Sequence, residues 1–246
     1  MPELPQDARK AKERVDLLAK LSAYAGEDRV VSASEAAAEA KKGHGALFGS
    51  SLSGLDKLIG GFRYGDLVTI AGPTGQGKTS LSKTLTHALY EGGVKSLWLN
   101  YEMPTPELIE SFPKQTPVLW VPREMTSGKI EWIEERIVES IAKYQTRAVF
   151  IDHLHFLVDL RSLALARNQS ILIGLIVRRL KELALKWDVM VFLIAHLTKL
   201  DLEEREPTAN DVRDSSLVTQ ESNTVLLIWR KEKPRSRKER LEGALQ

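Results

Sequence analysis

One eight-residue stretch constrains the fold more than any other feature of the chain. Gly72-Pro73-Thr74-Gly75-Gln76-Gly77-Lys78-Thr79 fits the pattern G-x-x-x-x-G-K-[ST]. An apolar run from Leu67 to Ala71, typical of a strand, precedes it, and a helical pattern from Lys78 to Glu91 follows. Glycines allow backbone N–H groups to surround phosphate oxygens, and the start of the helix adds its dipole. The sequence therefore predicts a phosphate-binding loop between a strand and a helix.

The pattern assigns nucleoside triphosphate binding to the whole loop: Gly72, Pro73, Thr74, Gly75, Gln76, Gly77, Lys78, Thr79 and Ser80. Lys78 is expected to reach the β and γ phosphates, and the hydroxyl of Thr79 to reach Mg²⁺. A purely structural glycine turn is the alternative, but it does not explain why Lys78-Thr79 follows the glycines.

Apolar runs alternate with amphipathic helical segments along most of the chain. This alternation predicts an α/β fold with a mostly parallel sheet and helices on both faces. Ligands of such sheets lie at the carboxyl ends of the strands. The predicted strands are 67–71, 96–100, 118–121, 148–152, 189–195 and 224–229, and the long helices are 78–91, 129–144 and 169–187.

Residues 1–46 differ in composition from the rest and predict a helical arm or linker ahead of a compact domain at 47–246. Apolar residues between Val15 and Tyr24 are spaced for one helical face. Ser34 followed by Glu35 to Ala40 predicts a second helix capped by a serine. These helices are too short to carry a core of their own.

Composition indicates a cytoplasmic protein without membrane contact. The 246 residues include no cysteine and have a net charge of +2, and no apolar run approaches the ~18 residues that span a bilayer. The N-terminus also lacks the basic and apolar regions of a secretory signal.

Two acidic residues are placed at the ends of predicted strands. Asp152 ends the run Ala148 to Ile151, and we expect this strand to neighbour that of the phosphate-binding loop, so that the carboxylate joins Thr79 at Mg²⁺. Glu102 follows the next strand after the loop, where a carboxylate can orient and polarise the attacking water. The alternatives are a helix-capping role for Asp152 and an interaction of Glu102 with a helix dipole.

Polar residues at other strand ends are weaker candidates. His196 ends a strand where it could contact the γ-phosphate, or be an ordinary strand-end residue. His153 and His155 are interpreted as packing or hydrogen-bonding residues. Thr198-Lys199-Leu200-Asp201 imitates a guanine-reading element, but no D-x-x-G follows Asp152. The basic segment 230–240 is either a phosphate-binding segment or a solvated tail.

Taken together, residues 50–230 resemble the RecA-like motor domain of DnaB-family replicative helicases, especially the phage primase-helicases and mitochondrial Twinkle. The matching motifs share the family's order and spacing. They are Ser53-Gly54-Leu55-Asp56, Gly60-Gly61-Phe62, Gly65-Asp66-Leu67, the phosphate-binding loop, Glu102-Met103-Pro104, Ile151-Asp152-His153-Leu154, Ala195-His196-Leu197, and Asp211 to Ser216 followed by Gln220 to Arg230.

The resemblance implies a RecA-like P-loop ATPase that works as a hexameric ring with ATP and Mg²⁺ and moves along single-stranded DNA. It makes Glu102 the catalytic glutamate, Asp152 the magnesium-associated aspartate and His196 the γ-phosphate sensor. Arg230 matches a position that can stack on the base. The loops 159–168 and 199–213 correspond to channel-facing segments, whose candidate phosphate contacts are Lys199, Arg205 and Arg213.

The chain departs from the family pattern at three places. The segment Glu107 to Val121 is short, no primase or separate helical domain precedes the motor, and the chain ends at Gln246, where the strand that carries the arginine finger is expected. Three alternatives remain for this finger: Arg235 or Arg237 replaces it, the sequence is a truncated piece of a longer protein, or the protein hydrolyses ATP slowly. A regulatory or loading module that binds ATP without unwinding DNA, and a recombinase or KaiC-like ATPase, remain alternatives.

Overall fold

The computed structural model describes residues 6–26, 29–43, 47–113, 115–157, 169–197, 205–212 and 215–230. The chain divides into two compact units, Met1–Gly45 and Ala46–Gln246. Among the described helices, none combines the length and the apolar composition that crossing a membrane requires.

The first unit contains two helices, α1 (Gln6–Ser22) and α2 (Ala33–Gly43). The apolar side chains predicted for one helical face are more than half exposed on α1, from 54% for Leu21 to 63% for Val15, and Tyr24, predicted for the same face, lies beyond the helix. The serine that caps α2 is Ser32 and not Ser34, because the Ser32 hydroxyl accepts the backbone N–H of Glu35 at 3.1 Å.

The second unit alternates strands and helices as the sequence predicts, and strand bounds move by at most two residues. Its elements are α3 (Ser53–Ile59), β1 (Leu67–Gly72), α4 (Lys78–Glu91), β2 (Ser96–Asn100), α5 (Thr105–Glu110), β3 (Leu119–Trp120), α6 (Ile130–Tyr144), β4 (Ala148–Asp152), α7 (Gln169–Lys186), β5 (Met190–His196), α8 (Ser215–Glu221) and β6 (Thr224–Leu227). Short 3-10 turns at Leu154–Leu157 and Ala209–Asp211 follow β4 and precede α8.

The strands form one six-stranded sheet in the order β3-β2-β4-β5-β1-β6, with every pair parallel. This confirms the predicted α/β fold class. The expectation that β4 neighbours β1 is wrong, because β5 lies between them, and β2 lies one strand further away. Crossover connections allow strands that are distant in sequence to enter the sheet between earlier ones, so chain order does not give sheet order.

The register of the strands brings four strand ends to one edge of the sheet. Gly72 at the end of β1 is opposite His196 at the end of β5. Asn100 at the end of β2 is opposite Asp152 at the end of β4. Since all pairs are parallel, the segments that leave these strands start side by side.

A row of aromatic rings crosses the middle of the sheet on one face. Trp98 stacks on Phe150 at 4.8 Å between ring centroids, and Phe150 stacks on Phe192 at 4.6 Å. The three residues are direct cross-strand partners on β2, β4 and β5. The indole N–H of Trp98 donates to the hydroxyl of Thr86 on α4 at 3.1 Å, which ties this face of the sheet to that helix.

Helices cover both faces of the sheet. Side chains of α6 and α7 belong to one buried cluster, and side chains of α4 to the other. In the first cluster α7 also lies against α8, where Gly174 approaches Leu217 so closely that a Cβ atom on Gly174 would be 2.1 Å from Leu217 Cδ1 and 2.7 Å from its Cβ. Glycine therefore sets the separation of these two helices.

We expect Gly174→Ala to lower the free energy of unfolding by about 1 to 3 kcal/mol, because the added methyl collides with Leu217 and overpacks the contact. An alanine in a helix would otherwise raise stability by up to about 1 kcal/mol. Urea unfolding followed by circular dichroism measures the change. The control is Gly54→Ala in α3, whose added Cβ would have no atom within 4 Å. Equal stabilities for the two variants would contradict the close packing.

Candidate functional site

The phosphate-binding loop, residues 72–80, joins β1 to α4 in the conformation that its glycines permit. Gly75 and Gly77 have positive φ angles of 75° and 100°, a region that other residues rarely adopt. Gly72 is required for a different reason, since a Cβ there would lie 2.3 Å from the carbonyl oxygen of Ile228. The loop is thus packed directly against the segment that leaves β6.

Lys78 lies at the first position of α4 and is buried, with 6% of its surface exposed. Its ammonium donates to the carbonyl oxygens of Gly72 and Pro73 at 3.0 Å each and lies 3.4 Å from Nδ1 of His196. Burial lowers the pKa of Lys78, and the nearby charges of Asp152 and Glu102 act in the opposite direction. The ammonium is therefore held at the centre of the loop.

Thr79 and Asp152 form the pair expected of a magnesium site. The Thr79 hydroxyl donates to Oδ2 of Asp152 at 3.0 Å, although the two residues are 73 positions apart. Asp152 is fully buried, and its Oδ1 has no hydrogen-bond partner among the described residues. A hydroxyl and a carboxylate are ligands that Mg²⁺ takes in proteins, and a buried oxygen without a partner is suited to a cation. These residues therefore fit Mg²⁺.

The electrostatics of Asp152 also favour a cation. Burial, reinforced by the negative charge of Glu102, raises the pKa of Asp152 from 3.8 to about 7. The carboxyl group is thus partly protonated at neutral pH when no cation compensates its charge.

Glu102 lies just beyond β2, on a turn that Asn100 holds in place. The side-chain oxygen of Asn100 accepts the backbone N–H of Glu102 at 3.3 Å, and its amide donates to the carbonyl oxygen of Met103 at 2.6 Å. The Glu102 side chain is 40% exposed and lines the same pocket as Lys78. The sequence did not identify Asn100 as a positioning residue; its signal is an amide side chain at a strand end, a type that commonly bonds turn backbone.

His153, interpreted from the sequence as a packing or hydrogen-bonding residue, also contacts Glu102, which the sequence did not predict. Its Nδ1 lies 3.8 Å from Oε2 of Glu102 and has no hydrogen-bond partner among the described residues. Its ring meets that of His196 edge to face at 4.4 Å between centroids. Burial and the neighbouring His196 lower the pKa of His153 to about 4, so the imidazole is neutral at pH 7. The missed signal was its position directly after Asp152.

The segment that follows β6 closes the opposite side of the loop. The backbone N–H of Arg230 donates to the side-chain oxygen of Gln76 at 2.9 Å, and the exposed side chain of Arg230 faces the same pocket. This pocket has a volume of about 210 Å³. It is lined by residues that the sequence predicted: Thr74, Gly75, Gly77, Lys78, Thr79, Ser80, Glu102, His196 and Arg230.

Of the three candidate DNA contacts, Arg205 is the one that lies within the described residues. Arg205 forms a two-bond ion pair with Asp211, with nitrogen to oxygen distances of 2.5 and 2.7 Å. The guanidinium and the N–H and hydroxyl of Thr208 hold the pKa of Asp211 well below its usual range. Arg205 thus stabilises its own segment, residues 205–211, through this ion pair. Lys199, Arg213, Arg235 and Arg237 lie outside the described residues.

Comparison with known proteins decides the family. The family model of the DnaB-like helicase C terminal domain matches residues 119–244. The chain belongs to the DnaB-like helicase family. This confirms the expected resemblance to the DnaB family.

Individual DnaB-like relatives agree with this assignment. Replicative DNA helicases DnaB of Rickettsia conorii and Rickettsia felis are each 25% identical over 236 residues, covering 79% of this chain and 47% of the relative. The chain therefore spans about half the length of these curated relatives.

Solved structures show the same RecA-like fold. One of them, an ATPase domain, superposes with a TM-score of 0.69 at 19% identity and covers 83% of this chain and 87% of that one. A DnaB-like replicative helicase, solved in a study of its interactions with primase, gives a TM-score of 0.65 at 19% identity. The match covers 92% of this chain and 64% of that one.

The raised pKa of Asp152 predicts a pH dependence of stability. The folded, nucleotide-free protein retains a proton that the unfolded chain releases near pH 3.8, so Asp152 lowers the free energy of unfolding as pH rises from about 4 to about 7. Asp152→Asn removes this titration. As the pH rises from 5 to 7.5, we expect the free energy of unfolding of the variant to increase relative to that of wild type by on the order of 2 kcal/mol.

Urea unfolding in the presence of a chelator, without nucleotide, measures this difference at each pH. The control is Glu110→Gln, which removes an exposed carboxylate on α5. A constant difference between Asp152→Asn and wild type across this pH range would show that the carboxyl group ionises normally in the folded state.

Proposed function

We propose that this chain is the motor of a replicative DnaB-like DNA helicase, which hydrolyses ATP and uses the energy to move along single-stranded DNA. One observation supports this most strongly: Lys78, Thr79, Asp152 and Glu102, from three separate segments, converge on one site. Phosphate binding, cation binding and water activation need these residue types together.

In this proposal the phosphate-binding loop and Lys78 hold the triphosphate. The backbone N–H groups at the start of α4 and the buried ammonium both direct positive charge to the pocket. Thr79 and Asp152 are the residues that would hold Mg²⁺. When bound, Mg²⁺ supplies positive charge that neutralises phosphate oxygens.

Glu102 is the proposed catalytic base. Its carboxylate is partly exposed and lines the nucleotide pocket, so it can accept a hydrogen bond from water and take its proton during attack. His196 contacts Lys78 through Nδ1 at 3.4 Å, which supports its proposed role as the sensor of the γ-phosphate. Arg230 is the proposed contact to the base.

Several further assignments belong to the same proposal. Residues 1–46 are a helical arm or linker, and residues 47–246 form the motor domain.

The assembly is a hexameric ring that encloses single-stranded DNA, with Lys199 and Arg213 as phosphate contacts. Arg205 can bind a DNA phosphate only if its guanidinium contacts the phosphate and Asp211 together, or if its ion pair with Asp211 breaks. The site of action is the cytoplasm.

A second candidate is an ATP-binding regulatory or loading module that does not unwind DNA. The ion pair of Arg205 with Asp211 favours it, because this pair engages one of the three candidate DNA-binding cations within its own loop. The two experiments below separate the motor from the module.

Glu102→Gln tests catalysis apart from nucleotide binding. The amide keeps the size of the side chain but cannot take a proton, so we expect the rate of ATP hydrolysis to fall about 10²- to 10⁴-fold. Binding of a fluorescent ATP analogue is expected to change by less than about threefold, since the residues of the loop are untouched. Phosphate release measures the rate, and Glu110→Gln is the matched control. An unchanged rate would exclude Glu102 as the base.

Single-stranded DNA tests the motor function. We expect an oligo-dT strand to raise the rate of ATP hydrolysis by wild type several-fold, because a translocating motor couples its cycle to the strand, and a blunt duplex of equal length to raise it less. Lys78→Ala should abolish hydrolysis under both conditions. A rate of ATP hydrolysis that does not change when DNA is added, or nucleotide binding without hydrolysis, would favour the regulatory module.

A further inference from the structure

A second group of potential metal ligands lies beside the Thr79–Asp152 pair. Glu102, Asp152 and His153 each offer one ligand atom, and these atoms all lie within 4.8 Å of one another. The three residues come from the turn after β2 and from the end of β4, two strands that pair directly. This group differs from the magnesium pair by containing an imidazole nitrogen and by not using the hydroxyl of Thr79.

Two of these three residues have a buried polar atom that lacks a hydrogen-bond partner in the described part of the chain. Asp152 is fully buried, and while its Oδ2 accepts the Thr79 hydroxyl, its Oδ1 has no hydrogen-bond partner among the described residues. Nδ1 of His153 is also inaccessible to solvent and has no hydrogen-bond partner there. Buried polar atoms are normally hydrogen-bonded, and an ion is a recognised reason for an exception.

The chemistry of the ligands selects the class of ion. Mg²⁺ and Ca²⁺ prefer oxygen ligands only. Two carboxylates and one imidazole suit borderline divalent ions such as Mn²⁺, Co²⁺ and Zn²⁺, which accept nitrogen together with oxygen.

The spacing of the ligands is compatible with one ion. Ligand atoms at about 2.0 to 2.2 Å from an ion in tetrahedral geometry are about 3.3 to 3.6 Å apart, so ligand atoms that now lie up to 4.8 Å apart must approach one another by up to about 1.5 Å. The Glu102 side chain is 40% exposed, which leaves it free to make this movement.

We propose that Glu102, Asp152 and His153 form a second cation site, specific for a borderline transition-metal ion, in which Asp152 is shared with the magnesium pair. Binding at this site does not depend on the proposed function. The consequence of binding rests on the proposed function. An ion there occupies the carboxylate of Glu102, the proposed catalytic base, so Zn²⁺ would inhibit ATP hydrolysis. The site thereby makes the motor sensitive to transition metals.

The binding test uses the full chain without nucleotide and Co²⁺ as the spectroscopic probe. We expect wild type to bind one Co²⁺ with a visible absorption band that Zn²⁺ displaces and Mg²⁺ does not. His153→Gln and Glu102→Gln should each weaken Co²⁺ binding by at least about tenfold, since even the loss of groups that support ligands costs about 10- to 100-fold. Circular dichroism verifies that both variants are folded.

His155→Gln is the control, because His155 lies 5.7 Å from His153 between ring centroids but is not in the ligand group. It should retain the Co²⁺ affinity of wild type. The proposal is overturned if wild type gives no such band, if His153→Gln binds Co²⁺ as wild type does, or if His155→Gln loses binding to the same extent.

The inhibition test follows on protein that hydrolyses ATP. Micromolar Zn²⁺ in excess Mg²⁺ should slow wild type and His155→Gln, and should have less effect on the residual rate of His153→Gln. Inhibition that is equal in His153→Gln would overturn the regulatory role. Protein that binds Co²⁺ as expected but hydrolyses no ATP would contradict the proposed function and leave the cation site supported.

Discussion

The candidate site depends on the fixed register of a parallel sheet. Gly72 is paired with His196, and Asn100 with Asp152, so four functional segments start from one edge. A slip of one residue would turn every side chain of a strand to the opposite face. The stacked rings on β2, β4 and β5 oppose such a slip, because they pack only when these three strands are aligned as observed. Core packing therefore fixes the geometry of the site some residues away.

Burial shifts the pKa values of two oppositely charged groups in the site. Burial lowers the pKa of Lys78 and raises that of Asp152, so in each case it disfavours the charged form. The two groups attract each other, but this attraction does not cancel the cost of burial. A bound triphosphate would stabilise the lysine ammonium, and a bound cation would stabilise the aspartate. The site is thus electrostatically prepared for a negatively charged ligand together with a metal ion.

Local patterns allowed most of the site to be predicted. The phosphate-binding loop and the strands that end at Asp152 and His196 follow from contiguous motifs and apolar runs, and the structure brings these residues together as expected. Sheet order could not be read in the same way, since it depends on crossovers between distant segments. For the same reason the contact of His153 with Glu102 was missed, because the two residues are adjacent only after β2 and β4 pair.

Backbone and side-chain contacts join the phosphate-binding loop to the segment after β6. Ile228 donates its backbone N–H to Ala71 at 2.8 Å, and its carbonyl oxygen occupies the space that a side chain at residue 72 would need. Two residues later Arg230 is bonded to Gln76 of the loop. The position of the backbone at Arg230 therefore depends on that of the loop.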